Sequence, residues 1–284
     1  MSKYKEGIMK AIFLIAACTS ILAVALICLF LFANGVPAMA KIGIFDFLMG
    51  TTWKPNSMPA SFGILPMILG SIYVTAGAIV IGVPIGILTA VFMAKYCPPK
   101  LYRILKPAIN LLAGIPSIVY GFFGLIVIVP FIRNAFGGAG SSMLAASIIL
   151  DIMILPTIVG ISESAIRAIP QSYYEGALAL GASQERSIFF VILPAAKSGI
   201  MAAIVLGIGR AIGETMAVIM VAGNQARMPA GLLKGVRTLT ANIIIEMGYA
   251  ADLHREALIA TGVVLFVFIL IINLLLSLLK RRTG

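Results

Sequence analysis

Charge is scarce in this sequence. Of 284 residues, 10 are acidic and 21 basic, together 11%, against roughly a quarter in soluble domains. With 61% apolar residues and a mean hydropathy of +1.10, so little charge excludes an ordinary soluble domain and places the chain in a lipid bilayer. Histidine occurs once and cysteine three times, without a CxxC or Cys/His cluster, so zinc and disulfide frameworks fail and no cofactor is expected. No nucleophile–base constellation is readable, which removes support for a membrane enzyme. No GxxxxGK[ST] stretch occurs, so any ATP chemistry must reside on another polypeptide. Low-complexity tracts, a soluble domain and internal repeats are missing too.

The net charge of +11 would suggest nucleic acid in a soluble protein. Here the charges lie mostly between and beyond apolar runs, so membrane orientation explains them and no nucleic-acid partner is expected. Runs long enough to cross about 30 Å of hydrocarbon as helices fall near 9–33, 64–94, 107–132, 143–162, 198–222 and 256–279. The first follows Lys3, Lys5 and Lys10 and precedes Ala38-Met39-Ala40. It is longer than a signal-peptide core, so it reads as an uncleaved span. Pro84 predicts a kink or an extension of the second span. Pro116 in the third opens the helix towards a cavity or simply kinks it.

Thirteen of the 21 Lys and Arg fall at the two ends, in 95–106 and in 163–197; seven fall on the other side, and Arg210 lies within a span. Basic residues favour the cytoplasm, so both termini are expected there. Residues 34–62 then form an outer loop, with Trp53 a candidate interfacial anchor. In a second outer segment, 223–255, Leu239–Met247 has the character of a stretch that dips back towards the bundle.

The cytoplasmic loop reads SESAIRAIPQSYYEGALALGASQERSIFFVILPAAKSG. From Tyr174 to Val191 it has helix formers and apolar residues at three- and four-residue spacing, with Pro170 before and Pro194 after. A membrane-surface helix pair and a docking surface for a cytoplasmic partner both fit. Glu175-Gly176-Ala177, three residues, Gly181, nine residues and Val191-Ile192-Leu193-Pro194 resemble the E-A-A-x3-G-x9-I-x-L-P signature of ABC importer permeases. Gly176 and Val191 are small departures from it. The resemblance implies a coupling helix, with Glu175, Gly176, Ala177, Leu180, Gly181 and Ala182 as the residues that seat against an ATPase subunit.

Near the middle of the fifth span, GIGRAIGETMAVIM places Arg210 and Glu214 four residues apart. A centrally placed Arg costs about 2.5–3.5 kcal/mol on insertion scales and usually faces a bundle interior or wet cavity. On a continuous helix Glu214 lies about 6 Å further along the same face, and Gly209 and Gly213 form a GxxxG suited to close helix approach. One reading is a neutralised ion pair locking helices together. The other is an anion path, because a guanidinium fork matches phosphate-type oxyanions.

Gly114-Ile115-Pro116-Ser117, Ile154-Leu155-Pro156-Thr157 and Gly209-Arg210-Ala211-Ile212-Gly213-Glu214-Thr215-Met216-Ala217-Val218, followed by Val221-Ala222-Gly223-Asn224, resemble phosphate-specific ABC importer permeases, PstC type more than PstA type. The similarity covers nearly the whole chain. It implies an all-α polytopic membrane protein with six transmembrane helices and the type I ABC importer permease fold. One permease domain spans 1–284, its core at about 64–279 and an additional N-terminal helix at 9–33. The implied partners are a homologous second permease, a dimer of cytoplasmic ATP-binding subunits, an extracytoplasmic phosphate-binding protein and the lipid bilayer of the inner membrane. Arg210 and Glu214 are implied to be the charged residues of phosphate passage, and the chain itself hydrolyses nothing. A permease for another oxyanion is the nearest rival. An ion-coupled secondary transporter using Arg210, Glu214 and Asp151 as a proton relay is the other.

Other polar residues carry weaker signals. Asp151 lines the cavity or pairs with Arg210, or else faces a water-filled vestibule or bonds to Ser or Thr. Glu163 reads as a solvated residue at the cytoplasmic end, His254 as surface chemistry, and Asn224 and Gln225 as a cap or turn at the outer mouth. Gly82 and Gly86 read as packing positions.

Overall fold

Six apolar stretches must cross the bilayer with every backbone N–H and C=O paired inside protein, which leaves helices as the only available element. The computed structural model describes residues 2–282, without the side chains of residues 2–5 and several beyond 275. Lys3, Lys5, Lys280, Arg281 and Arg282 of the orientation count lie outside those described side chains.

Helix α1 (Ser2–Ile42) leads to a short α2 (Ile44–Met49) and a two-stranded antiparallel hairpin, β1 (Trp53–Lys54) with β2 (Ser61–Phe62). Then come α3 (Leu65–Val91), which runs on through a π-helical turn at Phe92–Tyr96, and α4 (Pro99–Gly114). Next are α5 (Ser117–Phe123), a π-helical turn, α6 (Val129–Phe136) and α7 (Met143–Arg167). After α7 lie α8 (Gln171–Ala179), α9 (Gln184–Ser187), a third π-helical turn at Ile188–Ile192 and α10 (Leu193–Ala195). The chain closes with α11 (Lys197–Gly213), α12 (Met216–Val221), α13 (Leu239–Met247) and α14 (Asp252–Arg282).

Among the described residues, five segments are long and apolar enough to cross a membrane unbroken: 6–42, 65–96, 117–136, 143–167 and 252–275. The sixth crossing is broken, with 184–195 meeting 197–213 at 68°. Pro84 lies inside α3 without ending it, and with the π-helical turn the segment runs for 32 residues, the extension that was one of the two expectations. Pro116 instead ends a helix. Ile115 and Pro116 are extended (ψ 128° and 142°), so the expected span 107–132 divides into α4 and a crossing that starts at Ser117. Proline lacks the N–H that a helix needs and biases its predecessor away from α-helical torsions. Helix α4 is amphipathic, and none of its residues is buried.

The core forms three clusters along the bundle. One, at the hairpin end, joins Phe47, Trp53 and Met67 to Leu239 and Leu258. A central one is built on α7 around Ile149, Leu150, Met153 and Ile154. The third, at the opposite end, gathers Met93, Ile166, Ile188 and Ile192. Helices α3 and α7 form the most extensive pair. They approach through Gly77, Gly82 and Gly86, where an added Cβ would overlap Ser147, Asp151 and Ile158. Small residues at such positions let two backbones meet in lipid, where no hydrophobic force drives helices together. Helix α1 lies along α14, with Phe32 edge-on to Phe266 at 6.0 Å.

At the hairpin end α13 returns into the bundle, as its apolar sequence suggests. It is tied there by a buried carboxylate. Glu246 accepts from Trp53 Nε1 (2.7 Å), from Arg237 Nη1 (2.5 Å) and pairs with His254 Nε2 at 2.9 Å. Trp53 and His254, read as an interfacial anchor and a surface residue, are therefore both interior. The partner of Trp53 is 193 residues away in sequence, whereas that of His254 lies eight residues back, across the turn between α13 and α14. Removing one member of a buried ion pair costs about 3–5 kcal/mol through the charge left behind. Glu246→Ala is therefore expected to lower the thermal midpoint of the detergent-solubilised protein by several degrees, while Glu256→Ala, whose pair with Lys41 is exposed, leaves it nearly unchanged.

Candidate functional site

The Arg210–Glu214 stretch does not lie on one continuous helix. Helix α11 stops at Gly213, Glu214 is extended (φ −70°, ψ 136°), and Thr215 precedes the new helix α12. The predicted same-face spacing is thereby corrected, because a non-helical residue stands between the two charges. Glu214 Oε1 accepts from the backbone N–H of Ala217 at 3.1 Å, closing the first turn of α12. The Glu214 carbonyl accepts from Thr240 Oγ1 of α13 at 3.0 Å. A carboxylate at this position also matches the positive end of the helix it opens.

Arg210 is half-buried and donates from Nη1 to Thr157 Oγ1 of α7 at 3.4 Å. The ion pairs among the described residues use Glu6, Glu163, Glu246 and Glu256 as acceptors, not Glu214 or Asp151. The locking ion pair is thus not formed in this conformation. Gly209 and Gly213 meet nothing within 4 Å at an added Cβ, so they border open space instead of a packed helix. The close approach falls on Gly207, which packs against Ile158. A guanidinium bonded to a single hydroxyl has donors left with which to bind an anion.

Asp151 is 6% exposed, packed at Gly82, and its Oδ1 has no hydrogen-bond partner. It neither pairs with Arg210 nor bonds to a Ser or Thr through that atom. Asn224 caps as expected: its Nδ2 donates to the Ile219 carbonyl at 2.7 Å, at the end of α12.

At the opposite end, Glu175, Gly176 and Leu180 are exposed on and just after α8, and Ala177 and Ala182 are half-buried. Gly181 has φ +85°, a conformation that L side chains rarely adopt, which turns the chain between α8 and α9. Leu180 is 91% exposed beside an open groove of about 560 Å³ lined by Tyr173, Ala177, Arg186 and Phe190. Glu163, expected to be solvated, is 1% exposed. It accepts from Tyr102 Oη (2.7 Å), Arg167 Nε (2.5 Å) and Lys106 Nζ. Its bond to Tyr102, with burial adding to the effect, raises the phenol above its ordinary pKa. Thr157, Thr240 and this cluster escaped sequence reading. The basic residues of 95–106 entered the orientation count alone, and nothing in that stretch named Glu163 as the partner of Lys106.

A family model, the binding-protein-dependent transport system inner membrane component, matches residues 82–284. A probable ABC transporter permease protein, YqgH, of Bacillus subtilis is 40% identical, covering 93% of this chain and 89% of that protein. A phosphate transport system permease protein, PstC, of Mesorhizobium japonicum is 36% identical, over 89% and 84% of the two chains. Among solved structures, a bacterial alginate ABC transporter aligns with a TM-score of 0.66 at 17% identity, over 98% of this chain and 96% of that one. An amino acid ABC transporter aligns at 0.56 and 23%, over 77% and 93%. The chain belongs to the binding-protein-dependent transport system inner membrane component family: it is an ABC transporter permease, a multi-pass inner-membrane subunit with the type I importer fold, and its family implies a separate ATPase.

A buried polar atom without a partner costs about 1–3 kcal/mol. Asp151→Asn keeps the shape and removes the potential charge. It is expected to raise the unfolding midpoint in detergent, and a fall would show that the carboxylate has a partner.

Proposed function

We propose that the chain is the phosphate-conducting permease of an ATP-driven importer, with Arg210 as the anion-binding group of the path. The observation that carries this is the half-buried Arg210, bonded to Thr157 and unpaired with any described carboxylate. The relatives named for phosphate transport support it at 31–36% identity over most of the chain. An Arg held in a span usually faces a functional cavity, and its planar fork suits the tetrahedral oxyanion better than a point charge does.

Glu214 supplies the second element. One carboxylate oxygen is bonded to the Ala217 N–H; the other is left for substrate. Near neutral pH phosphate retains at least one P–OH and can donate to that oxygen, whereas fully ionised sulfate has nothing to donate and meets a like charge. No ion pair among the described residues joins Glu214 to Arg210 across the helix break, so both are free to act on one anion.

The remaining assignments follow from the same reading. Both termini lie on the cytoplasmic side, which puts the hairpin and α13 outside, facing a phosphate-binding protein. Glu175, Gly176, Ala177, Leu180, Gly181 and Ala182 seat in an ATPase subunit, one of a pair shared with a second, homologous permease. The permease core is about 64–279, with residues 9–33 an added crossing that lies on α14.

ATP-dependent uptake into vesicles carrying the whole reconstituted complex tests the reading. Arg210→Gln is expected to cut phosphate uptake at least about a hundredfold, the loss typical of a desolvated charge-assisted contact. Glu214→Gln is expected to retain ATP-dependent uptake but to admit sulfate. Equal phosphate uptake in Arg210→Gln and wild type would refute the assignment, as would wild-type transport of sulfate or molybdate in preference to phosphate.

A further inference from the structure

We propose that α4 is a lever hinged at Ile115–Pro116 and gripped by Glu163, and that it carries motion from the α8–α9 segment to the helix break at Glu214. The observations lie outside the anion path. Glu163 joins three elements: α7, on which it sits, α4 through Tyr102 and Lys106, and the end of α3 through Arg167. Arg167 bonds Glu163 with Nε and the Met93 carbonyl with Nη2 (2.7 Å), and its guanidinium lies 4.4 Å from the Tyr102 ring centroid.

The α8–α9 segment reaches this grip through the π-helical turn that follows it. Ile188 and Ile192 of that turn are fully buried in one cluster with Met93 and Ile166, against which Tyr102 and Tyr174 also pack. The Lys95 ammonium stands 5.8 Å from the centroid of the Tyr174 ring on α8. A displacement of α8 therefore enters the end of α3 and the Glu163 cluster first.

Helix α4 is built to move with that cluster. It has no buried residue of its own, so the polar grip and the half-buried Tyr102, Leu105 and Ile109 are its hold on the bundle. At its far end two extended residues replace helix. One hydrogen bond, Tyr120 Oη to the Leu112 carbonyl at 2.7 Å, spans the joint. Beyond the joint α5 packs on α12. An added Cβ on Gly121 would stand 2.9 Å from Ala217 Cα and 2.8 Å from Met220 Sδ. Ala217 is the residue whose N–H the Glu214 carboxylate accepts. The chain of contacts from α8 to Glu214 is continuous, and its one soft joint is Ile115–Pro116. Glu163 is thus a positioning residue that acts through α4 and never touches substrate.

The inference rests on ATPase contact at the α8 segment and not on phosphate as the solute. The test uses the full complex in a cysteine-substituted background, with spin labels at the exposed Ile104 on α4 and Phe122 on α5. In the wild-type grip, trapping ATP is expected to change the distance across the joint. Glu163→Gln is expected to abolish that change while ATPase subunits still co-purify, and to lower solute imported per ATP roughly 2- to 30-fold, the span of measured coupling effects. Lys106→Met, which spares the carboxylate, is expected to give a smaller loss of the same kind. No ATP-dependent change in the wild type, or an undiminished change in Glu163→Gln, overturns the lever. Leu180→Glu separates the underlying assumption: co-purification of the ATPase unaffected by it refutes the docking assignment, whereas the labels alone judge the lever.

Discussion

A helix that breaks inside a membrane must replace each backbone hydrogen bond that it gives up, because lipid offers no substitute. At the 213–215 break the replacements come from the chain itself. The Glu214 carboxylate takes the N–H of Ala217, Thr215 Oγ1 donates to the Gly213 carbonyl, and Thr240 on α13 donates to the Glu214 carbonyl. The rest of the site depends on this accounting. One Glu214 oxygen is committed to the Ala217 N–H, and no ion pair among the described residues joins the carboxylate to Arg210. The re-entrant α13 is needed in turn to bring Thr240 to the break, and α13 is held there by Leu239 N–H on Ser71 Oγ and by the buried Glu246.

Both ends of the bundle use one device, a buried glutamate saturated by donors from separate elements. A lone buried carboxylate is costly, and three donors are what make it tolerable. At the hairpin end Glu246 binds the hairpin, the Arg237 segment and α14 to α13. At the opposite end Glu163 binds α4 and the end of α3 to α7. Between them α7 and α3 meet mainly through glycines and apolar side chains, with a buried bond from Ser147 Oγ to the Val74 carbonyl at 3.2 Å between them.

The crossings and the α8–α9 segment were legible in the sequence because both are local signals: apolar runs of sufficient length, and Glu, Gly and Leu-Pro at fixed offsets. The dip at Leu239–Met247 was legible for the same reason. Pro116 announced a disturbance but not its outcome, since a proline within a span fits a kink or an opening towards a cavity, and the observed outcome is a full break. The break at Glu214 was hidden. Nothing from 207 to 220 lacks an N–H, and the bond that makes the break affordable arrives from Thr240, 26 residues on. Glu163 and Trp53 were misplaced on similar grounds, because their burial depends on Tyr102, Lys106 and Glu246 from distant stretches, and His254 was misplaced although its partner Glu246 is only eight residues back.

The central claim is that Glu214 serves the helix break and leaves Arg210 unpaired. A double-mutant cycle on the unfolding of the detergent-solubilised permease tests it most directly, with Arg210→Gln, Glu214→Gln and both together. The account predicts additive effects, within about 0.5 kcal/mol as for residues without a shared interaction. A coupling of about 1 kcal/mol or more, with the double variant recovering stability that each single one loses, would show an ion pair in the folded protein and contradict it.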